Sequence, residues 1–315
     1  MIDVRNLSVE FGHPDRPVRA VRDASMKIER GMIHGLIGES GCGKSTIGMA
    51  FLGLLPDDAR VIASRCRFGE TDLIADAARL RGRRISLISQ DPAAALNPVL
   101  SIRRQLDDVL KAAGHSSSVE RKARSAELLD ATGLPDSHRV LRSFPHELSG
   151  GMQQRAVIAQ ALATGAEFLI ADEPTSALDK TLGRQVLDVL KALVDERNLT
   201  ILMITHDMDV VAYACSRASV LYAGMTVEEA ETRALLASPR HPYTRALLGA
   251  RPGRNTIGRR LEAIAGQPPR PDTEFAGCPF TERCSVAMPI CAERAAPKRS
   301  GADRDWACHI EAQHA

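Results

Sequence analysis

Gly38-Glu39-Ser40-Gly41-Cys42-Gly43-Lys44-Ser45, with Thr46 following, fits the pattern G-x-x-x-x-G-K-[ST]. An apolar run at residues 32–37 leads in and a helical pattern at residues 47–55 leads out, so the stretch reads as strand, loop and helix. Glycines let successive backbone N–H groups turn inward around phosphate oxygens, and the following helix aims its N-terminal partial positive charge at them. In that setting Lys44 is expected to reach the β and γ phosphates of a nucleotide, and the Ser45 hydroxyl to ligate Mg²⁺. The bland alternative is a glycine-rich strand-to-helix turn with no ligand; the flanking strand and helix pattern favours phosphate binding over it.

The composition limits what surrounds this loop. A chain of 315 residues holds one large domain and a smaller appendage, and 44% apolar with 25% charged residues is ordinary for a globular protein. The formal net charge of +2 gives no surface suited to coating nucleic acid, and the basic runs at 79–84 and 251–260 read as local solvated faces. No apolar run approaches the roughly 20 residues that span a bilayer, and the start, Met1-Ile2-Asp3-Val4-Arg5, lacks a signal-peptide core, so a cytosolic location is expected. Four of the seven cysteines crowd the last 38 residues, which in a reducing compartment points to a metal site before a disulfide framework.

Along the chain, residues 2–11 and 18–28 alternate as strands, and Phe11 taken alone reads as a core aromatic. Short strands follow within 61–73 and at 85–88, the latter ending at Gln90. From about 91 to 148 the texture is helical: Ser101 caps a helix carrying Ile102, Leu106, Val109 and Leu110, and a second helix at 119–132 is closed by Gly133. Leu148-Ser149-Gly150-Gly151-Met152 opens a further helix to Ala163, a second anion cradle in principle. The buried strand at 168–171 ends in Asp172-Glu173, the expected Mg²⁺-side carboxylate and a base able to polarise water. Ser176-Ala177-Leu178-Asp179 enters a long helix to about Arg197, and a strand at 200–205 delivers His206 to the sheet end where ligands of parallel sheets collect.

Taken in order, these stretches resemble the ATP-binding subunits of ABC transporters. Walker A is 38–45, the Q-loop holds Gln90, the signature is 148–152, Walker B ends at Asp172-Glu173, the D-loop is 176–179 and the H-loop residue is His206. The resemblance implies an α/β fold: a RecA-like P-loop core, an antiparallel β subdomain, a helical subdomain at about 91–150, and a cysteine-rich C-terminal extension. The expected boundaries are 1–250 for the ATP-binding domain and 251–315 for the extension. It also implies that Phe11 stacks on adenine, that residues 38–46, Asp172 and Asp179 line the nucleotide, and that Gln90 senses Mg²⁺ and the attacking water. Glu173 becomes general base, His206 bonds the γ-phosphate, and Ser149, Gly150 and Gly151 close the ATP site of a second ATPase subunit. Met152 stands where Gln is usual in the signature.

Ser238-Pro239-Arg240-His241-Pro242-Tyr243-Thr244 is similar to the H-P-Y-T stretch of dipeptide, oligopeptide and nickel importers, as is Leu96-Asn97-Pro98 after the Q-loop. That branch implies a motor at the cytoplasmic face of the membrane, paired with a different ATPase chain, docked on two permease subunits and served by an extracytoplasmic binding protein. Nickel or glutathione as cargo, and a non-transport ATPase of DNA repair or ribosome work, are the alternatives. Against the latter stand a single P-loop and the absence of long coiled-coil heptads. In the tail, Cys278-x₅-Cys284-x₆-Cys291-x₁₆-Cys308 lacks the close pair of structural zinc sites and matches no ferredoxin spacing. Spacing leaves zinc, an iron–sulfur cluster and unligated thiols open; the resemblance to peptide-importer tails implies a 4Fe-4S cluster on all four.

Overall fold

The structure, a computed structural model, describes residues 1–12, 17–134, 136–250, 264–301 and 303–310. Residues 251–263, where the extension was expected to begin and where one basic run lies, fall outside the described residues. The chain divides into two compact units: Met1–Ile28 with His34–Ile74 and Thr205–Ala315, and Glu29–Ile33 with Ala75–Ile204.

Among the described residues the first unit holds strands of two sheets. In one, β1 (Ile2–Phe11) pairs antiparallel with β2 (Val18–Ile28), and its other edge takes β4 (Arg60–Ile62) and β5 (Arg65–Phe68), the latter paired with β6 (Thr71–Asp72). The alternation of β1 skips a beat between Val4 and Leu7, both buried, because Asn6 takes a φ of +54° opposite Asp23 at +55° and bonds to it. Such a bulge keeps the apolar side chains on one face while bending the strand.

The second sheet is built around β3 (Ile33–Ile37), whose five residues are all buried, as expected of a strand covered on both faces. β3 lies parallel to β10 (Arg217–Tyr222), which turns back antiparallel into β11 (Met225–Glu231). Beyond β11 the sheet continues with β13 (Arg304–Ala307) and β12 (Lys298–Ser300). The C-terminal segment therefore extends the sheet edge of the first unit. β3 leads through the glycine loop into α1 (Lys44–Leu52). Among the described residues, the further α-helices of this unit are α9 (Met208–Ala214), α10 (Thr232–Ala237), α11 (Pro242–Gly249) and α12 (Pro289–Glu293).

The second unit carries three parallel strands, β7 (Ile85–Ile88), β8 (Phe168–Asp172) and β9 (Thr200–Thr205, its last residue counted with the first unit). α2 (Ala77–Leu80) precedes them. The helical stretch comprises α3 (Pro92–Ala95), α4 (Ile102–Ala112), α5 (Ser118–Ala131) and α6 (Ser137–Arg142), followed by α7 (Gly150–Ala163) and α8 (Lys180–Arg197). Ser101 caps α4 as expected, and Ile102, Leu106 and Leu110 are fully buried. α5 starts one residue before the expected 119, because Ser117 is the side-chain cap, and Val119 is left 78% exposed in the first turn.

Candidate functional site

The glycine loop is shaped by positive φ at Gly41 (+79°) and Gly43 (+103°), the latter capping α1. A side chain at Gly38 would place its Cβ 2.2 Å from the Leu221 carbonyl oxygen, so only glycine lets the loop leave β3 against β10. The N–H groups of Lys44, Ser45 and Thr46 precede the first helical bond, Ile47 N–H to the Gly43 oxygen at 3.1 Å. The buried Lys44 ammonium donates to the carbonyls of Gly38 (2.8 Å) and Glu39 (2.9 Å). Cys42 is buried, and burial pushes its thiol pKa up despite the neighbouring Lys44, which disfavours the thiolate.

The loop is strapped from outside at several points. The β10–β11 turn donates Gly224 N–H to the Cys42 oxygen at 3.0 Å. The Glu39 N–H donates to the Tyr243 hydroxyl at 2.9 Å, and the Glu39 carboxylate accepts two bonds from Arg283, at 2.6 and 2.9 Å. The H-P-Y-T stretch thus has a structural meaning that its sequence did not reveal. His241 caps α11 by accepting from Tyr243 N–H at 3.0 Å, Pro242 fits the first turn, and Tyr243 is fully buried against Tyr222 and Phe280. Burial lowers the His241 pKa to about 4, which keeps the ring a neutral acceptor.

Phe11, half-buried at the end of β1, pairs with Val18. His206 is exposed directly after β9, and Asp207 begins α9 by accepting from Asp209 N–H at 2.7 Å. The remaining residues expected at the ATP site, Gln90, Ser149, Gly150, Gly151, Asp172, Glu173 and Asp179, lie in the second unit.

There, β8 ends at Asp172, aligned with Ile204 of β9. Glu173 follows with its N–H bonded to the Ile204 oxygen at 2.9 Å and a φ of +46°. A bulky residue held left-handed at a strand end is stored strain of the kind found where a side chain must point in one direction. Gln90 Nε2 donates to Glu173 Oε2 at 3.3 Å, so the Q-loop and the expected base are brought together. Ser149 caps α7, its hydroxyl accepting from Met152 N–H at 3.4 Å, and leaves Gly150 exposed. Asp179 caps α8 through Thr181 and Leu182 N–H groups at 2.9 and 3.0 Å. A Cβ on Gly150 would meet the Leu178 side chain at 3.4 Å, so signature and D-loop abut within this unit.

With this geometry in place, similarity to known proteins is specific. Residues 21–176 match the ABC transporter family, and residues 227–291 match the oligopeptide/dipeptide transporter C-terminal region. A probable peptide ABC transporter ATP-binding protein of Sinorhizobium fredii is 40% identical, covering 93% of this chain and 90% of that protein. The chain belongs to the ABC transporter ATP-binding proteins. The oligopeptide transport ATP-binding protein OppD of Escherichia coli is likewise 40% identical, over 92% of this chain and 87% of its own length. OppD of Mycobacterium tuberculosis is 44% identical over 92% of this chain, which spans about half (48%) of that relative. Among solved ABC structures, a dimeric bacterial transporter cassette superposes with a TM-score of 0.62 at 28% identity, covering 74% of this chain and 99% of the other. A cassette in a post-hydrolysis state bound to ADP and Pi gives 0.61 at 28% identity, with the same coverage. The ABC ATPase fold, a P-loop NTPase of mixed α/β content, is thereby established.

The four tail cysteines line one cavity of about 20 Å³ together with His241, Phe280 and His309. None forms a disulfide; burial, reinforced by the neighbouring thiols, pushes up the pKa values of Cys278, Cys284 and Cys308. As donors, four thiols on one cavity suit a soft metal centre. As placed, no three His, Cys, Asp or Glu side chains among the described residues are arranged to hold a metal ion. No helix among the described residues is long and apolar enough to cross a membrane.

Proposed function

We propose that this ABC protein is the ATP-hydrolysing motor of an importer for peptides or a similar small solute. The observation that supports it most directly is the attachment of the H-P-Y-T element to the phosphate loop through Tyr243 and Glu39 at 2.9 Å. That element joins a branch-specific feature to the ATP-binding machinery. Relatives named for oligopeptide and dipeptide transport agree with it.

In this reading the loop N–H groups and Lys44 take the β and γ phosphates, Ser45 and Asp172 hold Mg²⁺, and Phe11 stacks on the adenine. Glu173 accepts the proton of the attacking water while Gln90 orients it, and His206 bonds the γ-phosphate. Ser149, Gly150 and Gly151 of a neighbouring ATPase subunit complete the site, with Asp179 beside it, and hydrolysis releases the closed pair. The expected division is an ATP-binding domain at 1–250 with an extension at 251–315. The partners are a second ATPase chain, two permeases at the cytoplasmic face of the membrane, and an extracytoplasmic solute-binding protein.

For the tail, the four thiols are proposed to hold a 4Fe-4S cluster, with zinc as the alternative. A bound metal centre would supply a cross-link among short segments and a partner that lets the buried thiols ionise. Anaerobic purification followed by iron, sulfide and zinc analysis separates the cases: visible absorption with iron supports the cluster, and colourless protein with stoichiometric zinc replaces it. The motor reading is tested by reconstituting the chain with its permeases. Cargo-stimulated ATP turnover supports it, and turnover indifferent to permease and cargo overturns it.

A further inference from the structure

Glu39 occupies a position of the phosphate loop where the pattern tolerates any residue, yet its carboxylate meets a cation that is itself held at several points. The Arg283 side chain is 4% exposed. Its Nη1 and Nη2 grip the two Glu39 oxygens at 2.6 and 2.9 Å, Nη1 also reaches the Tyr222 hydroxyl at 3.3 Å, and Nε donates to the Ala265 oxygen at 2.9 Å. The guanidinium lies 5.7 Å from the Tyr222 ring centre and 6.0 Å from that of Phe280. Those rings pack edge-on at 5.1 Å, and Tyr243, whose hydroxyl accepts from Glu39 N–H, closes the cluster at 4.5 and 5.4 Å. Glu39 is thus held at backbone and side chain by residues 204 and 244 positions away.

The next link is inside the loop. The Glu39 carbonyl accepts from Lys44 Nζ at 2.9 Å and from Cys42 N–H at 3.4 Å. Whatever fixes Glu39 therefore fixes an oxygen that aims the lysine and closes the loop's tight turn. Arg283 in turn immediately precedes Cys284 and sits in the short helical turn Thr281–Arg283 between Cys278 and Cys284. The Thr281 hydroxyl donates to the Cys278 oxygen at 2.7 Å and the Cys291 oxygen at 3.0 Å, so this turn is tied to the cysteine segment on both sides.

We propose that Arg283 is a positioning residue for nucleotide binding: through Glu39 it holds the phosphate loop and Lys44 in their binding shape, and so makes ATP affinity depend on the C-terminal cysteine segment. The inference rests on the loop being the ATP site. A bidentate guanidinium–carboxylate pair fixes distance and plane together, which a lysine cannot reproduce.

The test compares the full-length parental chain with R283M, R283K, E39Q, Y243F and the double variant E39Q/R283M. Equilibrium binding of a fluorescent ATP analogue and thermal unfolding are measured on each chain, and steady-state KM and kcat on each reconstituted with its ATPase and permease partners. R283M is expected to weaken nucleotide binding and raise KM about tenfold while kcat at saturating ATP stays within about twofold, the split expected when pre-organisation is lost but the reacting groups remain. R283K recovers only part of the affinity, Y243F loses less than R283M, and the double variant is no weaker than the worse single one. E39Q breaks the same contact from the loop side without touching the tail, so it carries the test if R283M does not fold. Unchanged KM in R283M and E39Q, additive losses in the double variant, or losses that merely follow the folded fraction would overturn the proposal. Failure of the parental chain to bind the analogue would instead overturn the ATP site itself.

Discussion

Glu173 combines a left-handed backbone (φ +46°), an N–H spent on the Ile204 oxygen and a carboxylate oxygen 3.3 Å from Gln90 Nε2. A proton acceptor is lost, with little change of shape, in Glu173→Gln. The expected result is nucleotide affinity within a few fold of the parental value and a loss of turnover on the order of 10²–10⁴, typical for removal of a general base. Single-turnover hydrolysis against analogue binding measures both, and parental turnover would remove Glu173 from the mechanism. Gly38→Ala fails differently. Its Cβ would sit 2.2 Å from the Leu221 oxygen and 2.7 Å from Cys42 Sγ, so the loop or β10 must move, and both analogue binding and melting temperature are expected to fall together.

At the scale of elements, β3, β10 and β11 share a buried polar chain that the periodicity of the sequence does not display. His34 Nε2 lies 2.8 Å from the Ser219 hydroxyl, which donates to Glu229 Oε2 at 3.2 Å, with Arg217 3.9 Å from that carboxylate. Burial, with Arg217 adding to it, depresses His34 from 6.5 to about 3; burial raises Glu229 from 4.5 to about 7 against the pull of Arg217. The signs oppose each other. A native state that refuses the histidine proton loses stability as pH falls from 6.5 toward 3, whereas one that prefers the protonated glutamate loses it as pH rises from 4.5 through 7. Denaturant titrations across pH 4.5–7 are therefore expected to show Glu229→Gln gaining on the parental chain as pH rises. A constant gap would mean that Glu229 ionises as it does in the unfolded chain. This pattern also shows where sequence reading stops. The strand–loop–helix of 33–52 was legible because glycines, apolar runs and caps are local signals, as was the Ser101 cap; that Ser149 and Asp179 also cap their helices was not read. Arg283 on Glu39 was not, since nothing local marks a contact spanning 244 positions, and β12 and β13 escaped because strands of three and four residues at a sheet edge carry no period to read.

For the whole molecule, the proposed two-chain site separates what one chain contributes from what its neighbour contributes. In that proposal Lys44 would act in the chain that clasps the triphosphate, and Ser149, which lies at the exposed start of α7, would act across from it. Lys44→Ala removes the first function, and Ser149→Arg blocks the second with bulk and charge at a helix N-terminus. Each variant alone is expected to lose turnover, because every pair it forms lacks the same part twice. Mixed, the two variants form pairs in which the intact loop of one chain faces the intact Ser149 of the other, so one site is whole and part of the activity returns. That outcome requires the chain to pair with itself. Should the mixture remain inactive while ATP produces no dimer of the parental chain by light scattering, the functional neighbour is a different ATPase chain; adding that chain to Lys44→Ala must then restore a site that adding it to Ser149→Arg restores from the opposite side. If neither arrangement recovers turnover, or if the isolated parental chain turns over ATP without pairing, the two-chain site is wrong.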